Sequence, residues 1–263
     1  MSQNNFFESL YSLSGRTAVV TGGSTGIGEM ISRALIGAGA EVWIVARNGE
    51  RAERTAATLS ESGGICRAIA ADVTSADGIE KIRSAIAATH RPLDILVNNA
   101  GVSASAPFAS FPEEIWDREF AVNLKSPFFV TQALHPLMRR SRSQGHPAHV
   151  INIGSGAGIT IHAEECYSYF PGKAAVHHLS RILAKQFIPD RIHVNVIAPG
   201  YFYTDMVRGF APDEADRAHL LKTVPAARFG DWKDVGALAI MIAASSYLNG
   251  TVIPLDGGHL LEH

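Results

Sequence analysis

The chain has 263 residues, a formal net charge of −2 and 46% hydrophobic residues, which suits one large, packed α/β domain. The near-neutral charge gives no reason to expect a nucleic acid or an anionic membrane as a partner, and no apolar stretch is long enough to span a bilayer. The first 16 residues lack the basic start and apolar core of a secretory signal, and two cysteines do not make a disulfide framework. We therefore expect one domain over residues 1–263, located in the cytoplasm with reduced thiols.

Short apolar runs alternate with helical patterns along the chain. Seven runs are typical of strands buried on both faces of a sheet: 17–21, 41–45, 65–70, 93–97, 149–153, 193–197 and 251–255. The helical patterns between them cover 27–37, 49–62, 76–89, 113–140, 165–187 and 233–244. This alternation predicts right-handed βαβ units, and therefore a single-domain α/β fold with a doubly wound parallel sheet of the Rossmann type.

Two stretches interrupt the alternation. Residues 141–147 form a polar segment that is typical of a loop, and residues 200–227 form a long connection rich in aromatic and apolar side chains. Long insertions in compact domains are often lids or binding loops. We expect the second stretch to become ordered over a bound substrate.

A glycine-rich turn follows the first predicted strand and leads into the first predicted helix. Residues 21–28 read Thr-Gly-Gly-Ser-Thr-Gly-Ile-Gly. Glycines let the backbone approach a pyrophosphate closely, and the free N–H groups of the helix N-terminus attract its charge. The turn therefore predicts a dinucleotide site, with contacts from Gly22, Ser24, Thr25, Gly26, Ile27 and Gly28.

The end of the second predicted strand indicates which dinucleotide binds. Rossmann sites for NAD usually carry Asp or Glu at this point, where the chain has Ala46 followed by Arg47. A guanidinium can bind a 2′-phosphate through two parallel hydrogen bonds, and Ser24 or Thr25 could add a hydroxyl. We therefore expect NADP(H) as the cofactor; the alternative is that Arg47 is a solvated surface residue.

The Gly-x-x-x-Gly-x-Gly spacing of the turn resembles the short-chain dehydrogenase/reductase family, and further motifs extend that resemblance from residue 16 to about residue 258. The resemblance implies adenine contacts after the third strand, a sheet-stabilising motif beside the cofactor after the fourth, and nicotinamide contacts after the sixth. The residues at these places are Asp72, Val73, Asn99, Ala100, Gly101, Pro199, Gly200 and Thr204.

Tyr169 and Lys173 are spaced four residues apart, so they share one face of a helix. A tyrosine can donate a proton to a carbonyl oxygen, and a nearby cation is expected to lower its pKa from the usual value near 10. This spacing matches the family's Tyr-x-x-x-Lys pair, whose lysine also reaches the nicotinamide ribose, so both residues are predicted to be catalytic and to contact the cofactor. Tyr167 is a competitor for the proton donor, but it stands six residues before Lys173, off the shared face. Pro171 predicts that the helix begins close to Tyr169.

The resemblance also assigns catalytic roles to Ser155 and Asn123. The serine would bond the substrate oxygen, and the asparagine would help to hold a water that relays protons to the lysine. The alternatives are a loop hydroxyl that bonds its own backbone and a polar helix residue satisfied locally.

No histidine of the chain shows zinc-like spacing, so we expect no catalytic metal. A basic cluster near the end of the long helix is either a solvated face or a docking patch for an acidic acyl carrier protein: Arg139, Arg140 and Arg142.

The segments around Tyr169 and the sixth strand look most like bacterial ketoacyl-reductase-type members of the family, including the one associated with rhamnolipid synthesis. The resemblance implies a homotetramer that reduces a ketone with NADPH, for which a β-ketoacyl chain is the favoured substrate. Two alternatives stay open: an enzyme for a small ketone, polyol or alcohol, and a non-catalytic NADP(H)-sensing protein.

Overall fold

Seven strands form one parallel sheet in a computed structural model, which describes residues 3–61, 63–161 and 165–261, with the backbone alone for 3–5 and 142–144. The strands are β1 (Thr17–Thr21), β2 (Glu41–Ala46), β3 (Cys66–Ala70), β4 (Ile95–Asn98), β5 (Ala148–Ile153), β6 (Ile192–Pro199) and β7 (Val252–Leu255). Their order in the sheet is β3-β2-β1-β4-β5-β6-β7, and every pair is parallel. The predicted doubly wound α/β fold is confirmed.

Helices cover both faces of this sheet. They are α1 (Gln3–Tyr11), α2 (Gly26–Gly37), α3 (Gly49–Ser60), α4 (Ala76–Ala87), α5 (Glu113–Phe120), α6 (Ser126–Met138), α7 (Tyr169–Gln186), α8 (Asp205–Phe210), α9 (Glu214–Leu221) and α10 (Trp232–Ala244). The end of the second predicted helical pattern, at residue 62, lies outside the described residues. Helix α7 begins at Tyr169, as Pro171 indicated.

Alternate residues of each strand enter two separate cores. Val20 and Ile44 pack on the side covered by α2, α3 and α10, whereas Val19 and Val45 pack on the side covered by α4, α6 and α7. All four side chains are fully buried, and burying a side chain of this size contributes roughly 1.5–3 kcal/mol. Two apolar faces explain why the strands read as continuous apolar runs.

Three predictions of local structure are wrong. The predicted helix 113–140 is interrupted by a π turn at Ala121–Lys125 and ends at Met138. A 3₁₀ helix, Arg139–Gln144, occupies most of the predicted loop. The long connection contains α8 and α9, because short helices there satisfy backbone groups that an irregular segment would leave unpaired.

The strand order reverses between the neighbouring strands β1 and β4. The chain continues from β1 to β2 on one side of the sheet, and from β4 to β5 on the other side. Ligands of open α/β sheets bind at such a switch point, beyond the carboxyl ends of the strands. The fold therefore directs attention to the segments that follow β1, β4, β5 and β6. Among the described residues, the helices are all too short or too polar to cross a membrane.

Candidate active site

The turn after β1 has the shape that the glycines predicted. Gly22 and Gly26 have φ angles of +64° and +53°, which L side chains rarely adopt. A Cβ on Gly28 would lie 2.3 Å from the carbonyl oxygen of Gly22, so a side chain there cannot be accommodated. Helix α2 begins at Gly26, and the side chain of Thr25 forms no capping bond with its N–H groups. Only glycines fit this tightly packed turn, which leads straight into the N-terminus of α2, and that arrangement fits the pyrophosphate of a dinucleotide.

Asn99 joins this turn to the end of β4. Its Nδ2 donates to the carbonyl oxygens of Thr21 and Gly22 at 2.9 and 3.2 Å, and Thr21 Oγ1 accepts the N–H groups of Asn99 and Ala100 at 3.0 and 3.1 Å. These side-chain hydrogen bonds therefore connect the carboxyl ends of β1 and β4 at the switch point.

Asn98 fixes the same end of β4 to its other neighbours. Its Nδ2 donates to Asn152 Oδ1 at 2.8 Å and to Thr131 Oγ1 at 3.0 Å. Asn98 is buried, and its bonds to β5 and α6 fit the sheet-stabilising motif that the resemblance implied after the fourth strand.

Arg47 and Asp72 lie at the same edge of the sheet, just after β2 and β3. Arg47 is exposed, and Val73 is buried. Asp72 Oδ1 accepts the Thr74 N–H at 2.9 Å and the Thr74 hydroxyl at 2.7 Å. These bonds lower the pKa of Asp72, and the charge of Arg47 adds a smaller decrease. Asp72 is therefore held as a carboxylate near an exposed guanidinium.

The start of α8 touches the glycine turn. A Cβ on Gly26 would lie 3.1 Å from Thr204 Cγ2. Pro199 ends β6, and a Cβ on Gly200 would lie 2.8 Å from the Cα of Asp256, so the segments after β6 and β7 meet here.

Lys173 and Tyr169 share the buried side of the first turns of α7. The Lys173 ammonium lies 5.5 Å from the centre of the Tyr169 ring, and Nζ donates to the carbonyl oxygen of Ile153 at 2.8 Å. Burial lowers the pKa of Lys173 to about 8, and the negative charge of Glu119 opposes that decrease. The ammonium therefore keeps its proton at neutral pH but loses it at a lower pH than an exposed lysine does.

The expected decrease in the pKa of Tyr169 is wrong for this structure. Burial raises that pKa to about 12, although a hydrogen bond with Ser155 lowers it in part. Lys173 does not reverse the increase, because its ammonium points at Ile153 and lies over the ring. The phenol therefore keeps its proton at neutral pH, which is the form that can donate to a carbonyl.

Ser155 follows β5 and meets Tyr169 through that hydrogen bond. Its Oγ also accepts the N–H of Ala157 at 3.1 Å, at the start of the 3₁₀ turn Gly156–Gly158. The hydroxyl thus bonds its own backbone, as the alternative interpretation expected, and it also faces the tyrosine, while its contact with a substrate oxygen stays a prediction. Tyr167, the competitor, is exposed and bonds Glu165 instead.

Asn123 lies within the π turn, and both ends of its amide are bonded to Val102. Oδ1 accepts the Val102 N–H at 3.0 Å, and Nδ2 donates to the Val102 carbonyl at 2.8 Å. A Cβ on the neighbouring Gly101 would lie 3.3 Å from Asn123 Oδ1 and 3.8 Å from Lys173 Nζ. Asn123 therefore places the segment after β4 beside the lysine.

His177 was missed by the sequence interpretation, which found only that no histidine has zinc-like spacing. His177 is buried, and its Nε2 accepts the backbone N–H of Ser155 at 3.3 Å. The ring fills the space beside Gly158, where a Cβ would lie 2.7 Å from it. Burial and the charge of Lys173 lower the pKa of His177 to about 4, so the ring is neutral and can accept this bond. Its spacing of four residues from Lys173 was the signal that could have found it.

Glu119 was missed as well. It is buried, and its two oxygens accept hydrogen bonds from the Ala104 N–H and the Ser168 hydroxyl. The available signal was its position one turn before Asn123. Among the residues described here, no group of three or more His, Cys, Asp or Glu side chains is arranged to hold a metal.

Exposed apolar side chains lie on the segments that follow β4, β5 and β6, at the same end of the sheet as this cluster. They are Phe108, Ile159, Ile161, Tyr167, Met206 and Phe210. Phe108 and Phe111 both pack edge-on against Tyr167 at 5.5 Å. The rim of the cleft is therefore largely apolar.

Comparison with known proteins agrees with this geometry. Residues 16–215 match the family described as short chain dehydrogenase. The chain is 48% identical over 254 residues to the rhamnolipids biosynthesis 3-oxoacyl-[acyl-carrier-protein] reductase of Pseudomonas aeruginosa, covering 94% of this chain and 97% of that protein. It is 36% identical to the 2-dehydro-3-deoxy-D-gluconate 5-dehydrogenase of Bacillus subtilis, covering 97% and 98%. The solved RhlG/NADP active-site complex of Pseudomonas aeruginosa superimposes with a TM-score of 0.92 and 46% identity, covering 96% of this chain and 99% of that one.

Proposed function

The chain belongs to the short chain dehydrogenase family, and from that premise we propose that it reduces the ketone of a 3-oxoacyl (β-ketoacyl) chain with NADPH. The observation that carries this proposal is the meeting of Ser155, Tyr169 and Lys173 beside the glycine turn. An arrangement this complete does not favour a non-catalytic NADP(H)-sensing protein.

NADPH, when bound, supplies the hydride to the carbonyl carbon. The Ser155 hydroxyl then donates a hydrogen bond to the substrate oxygen, and Tyr169 gives that oxygen its phenolic proton. One hydride and one proton convert the ketone into a secondary alcohol. Lys173, whose ammonium lies 5.5 Å from the centre of the Tyr169 ring, is the cation that would stabilise the remaining phenolate once substrate and cofactor are bound. Asn123 holds the segment after β4 next to Lys173, and its part in relaying protons stays a prediction.

The proposed cofactor contacts lie along the carboxyl ends of the strands. The glycine turn and the N-terminus of α2 would hold the pyrophosphate, and Arg47 would bind the 2′-phosphate with help from Ser24 or Thr25. The other contacts that we assign to NADP(H) are Gly22, Gly26, Ile27, Gly28, Asp72, Val73, Asn99, Ala100, Gly101, Pro199, Gly200 and Thr204, besides Tyr169 and Lys173.

The apolar rim favours an acyl chain over a sugar acid. Ile161 and Phe108 are 87% and 77% exposed, which an apolar substrate would cover favourably. Glu165 adds a carboxyl group to the same rim, where it accepts the Phe108 N–H at 3.3 Å and the Tyr167 hydroxyl at 3.2 Å. The carboxylate of a gluconate would meet this negative charge. The second candidate, a reductase of sugar acids or other small ketones, draws its support from the relative in Bacillus subtilis.

A substrate panel separates these functions. We expect kcat/KM with NADPH to rise about fourfold for each added CH₂ in a series of 3-oxoacyl thioesters, because each buried CH₂ contributes about 0.8 kcal/mol. Keto sugar acids and short ketones are the comparison substrates. Higher kcat/KM with a keto sugar acid would overturn the acyl assignment, and NADPH binding without turnover of any carbonyl would favour the sensing protein.

Docking of an acyl carrier protein is part of the proposal. Arg139 is exposed and bonds Asp190 at 2.8 Å, Arg140 is exposed, and the side chain of Arg142 lies outside the described part of the chain. Arg140→Glu should raise KM for a carrier-bound substrate and leave KM for the same coenzyme A thioester unchanged. The exposed Arg54→Glu serves as the control.

A homotetramer also belongs to the proposal. Exposed apolar residues on α5, α6 and α7 supply one candidate interface, and α10 with the segment after it supplies another: Trp116, Phe129, Ile182, Met241 and Tyr247. Sedimentation giving a monomer of about 28 kDa at assay concentration would contradict a tetramer. A cytoplasmic location likewise stays a prediction.

A further inference from the structure

Glu119 is a buried carboxyl group that the reaction described above does not use. It lies on α5, one turn before Asn123, and only 2% of it is exposed. Buried carboxyl groups are uncommon unless they are paired, so this one requires an explanation.

Its two oxygens connect two walls of the cleft. One oxygen accepts the backbone N–H of Ala104, in the segment after β4. The other accepts the hydroxyl of Ser168 at 2.7 Å. Ser168 is fully buried and directly precedes Tyr169, so it stands where α7 begins. Glu119 therefore fixes the start of the helix that carries the proton donor.

The negative charge of Glu119 acts on Tyr169 and Lys173. Tyr169 and Lys173 face it from α7, Arg118 neighbours it on α5, and Cys166 lies near Tyr169 in the segment before α7. Burial raises the pKa of Glu119, whereas the hydrogen bonds from Ser168 and Ala104 and the charges of Arg118 and Lys173 lower it. In return, the negative charge of Glu119 raises the pKa of both Lys173 and Tyr169.

We propose that Glu119 is a positioning residue, whose hydrogen bonds hold the start of α7 and with it Tyr169 in place, and whose carboxylate stabilises the Lys173 ammonium. This inference rests on the proposed function, since it concerns the proton donor of that reaction. It assigns a purpose to a buried charge that lies outside the residues touching substrate or cofactor.

Glu119→Gln removes the charge and keeps the size of the side chain and an oxygen that can accept a hydrogen bond. A single nearby charge changes a pKa by roughly one unit at an effective dielectric constant of about 20. The pKa of Lys173 should therefore fall by about one unit from its value of about 8. The titration can be followed by NMR of lysines labelled with ¹³C at Cε, with the resonance assigned by its loss in Lys173→Met.

The activity of the same variant should change with pH in a defined direction. Reduction needs the protonated pair, so its rate falls as pH rises through the apparent pKa of the pair. In Glu119→Gln this fall should occur about one pH unit lower, with an unchanged rate on the acidic side. Glu114→Gln is the matched control, because Glu114 is exposed on the same helix. It should leave both titrations unchanged.

Glu119→Ala removes the hydrogen bonds as well as the charge. We expect kcat on the acidic side to fall about tenfold while KM for NADPH stays constant, since the start of α7 loses its contact with the segment after β4. Should this variant fail to fold, Glu119→Gln still decides the inference.

The outcomes separate two kinds of failure. If Tyr169→Phe keeps normal activity, the proposed function is wrong. If Tyr169→Phe is inactive but Lys173 titrates in Glu119→Gln as in the wild type, Glu119 is a structural residue only and the inference alone is overturned.

Discussion

The carboxyl end of the sheet buries titratable side chains that all have hydrogen-bond partners, whereas the amino end holds a pair of histidines with ring nitrogens that have none among the described residues. At the carboxyl end, Lys173, Tyr169 and Glu119 are connected through hydrogen bonds to backbone and side chains. At the amino end, His149 of β5 and His193 of β6 lie side by side, with ring centres 5.5 Å apart. Within the described part of the chain, both ring nitrogens of His149 and Nδ1 of His193 have no hydrogen-bond partner.

The difference shows what identifies a functional site. Burial lowers the pKa of His149 to about 3, a larger displacement than that of Lys173. A displaced pKa therefore reports burial and does not by itself report function. The convergence of several partnered groups on one cleft distinguishes the carboxyl end.

Tyr169→Phe tests the carboxyl end most severely. Turnover should fall by at least about 10²–10⁴-fold, the usual contribution of general acid catalysis, while stability and NADPH binding change little. Steady-state kinetics and thermal unfolding measure the two effects. Tyr167→Phe is the matched control, because Tyr167 is exposed and bonds only the rim. A loss confined to Tyr167→Phe would reassign the proton donor.

Arg47→Ala tests a second position at the carboxyl end of the sheet, directly after β2. A charge-assisted hydrogen bond contributes about 1.5–3 kcal/mol, so kcat/KM with NADPH should fall by about 10- to 150-fold. Use of NADH should change little, because that cofactor has no 2′-phosphate. Arg54→Ala, on the exposed face of the next helix, should affect neither cofactor. A wild-type protein that prefers NADH would contradict the 2′-phosphate contact.

His177→Leu removes the hydrogen-bond acceptor of the Ser155 N–H, at the carboxyl end of the sheet. The partly buried N–H of Ser155 would lose its acceptor, which costs about 1 kcal/mol of unfolding free energy, and kcat should fall about tenfold as Ser155 loses its position. His178→Leu is the control, because His178 is exposed on the same helix. Equal effects of the two substitutions would show that His177 does not position Ser155.

His149→Leu tests the amino end, where the expected effect on activity is smallest. Replacing an unpartnered buried imidazole with an apolar side chain should stabilise the fold by about 1–3 kcal/mol at neutral pH and leave kcat unchanged. The gain should grow as pH falls from about 6.5 towards 3. In that window the unfolded histidine binds a proton and the folded one does not, so the wild type loses stability. A destabilised variant would mean that His149 has an unseen partner and that the two ends are alike.

Much of this arrangement is predictable from the sequence. Buried strands read as apolar runs, and Ser155, Tyr169 and Lys173 stand at spacings that place them at one edge of the sheet. The π turn could not be predicted, because one extra residue in a turn hardly disturbs a pattern with a period of 3.6. Glu119 and Ser168 are 49 residues apart, so only the folded chain shows that they meet. The pKa of Tyr169 depends likewise on burial that no local pattern records.

The π turn at Ala121–Lys125 also restricts how this chain can vary in length. Glu119 before the turn must meet Ser168, and Thr131 after it must meet Asn98. A regular α-helix advances about 100° per residue, so deleting a single residue in the turn would rotate α5 relative to α6 by about that angle. One of the two contacts would then be lost. An insertion or deletion of one residue should therefore not be tolerated within this turn.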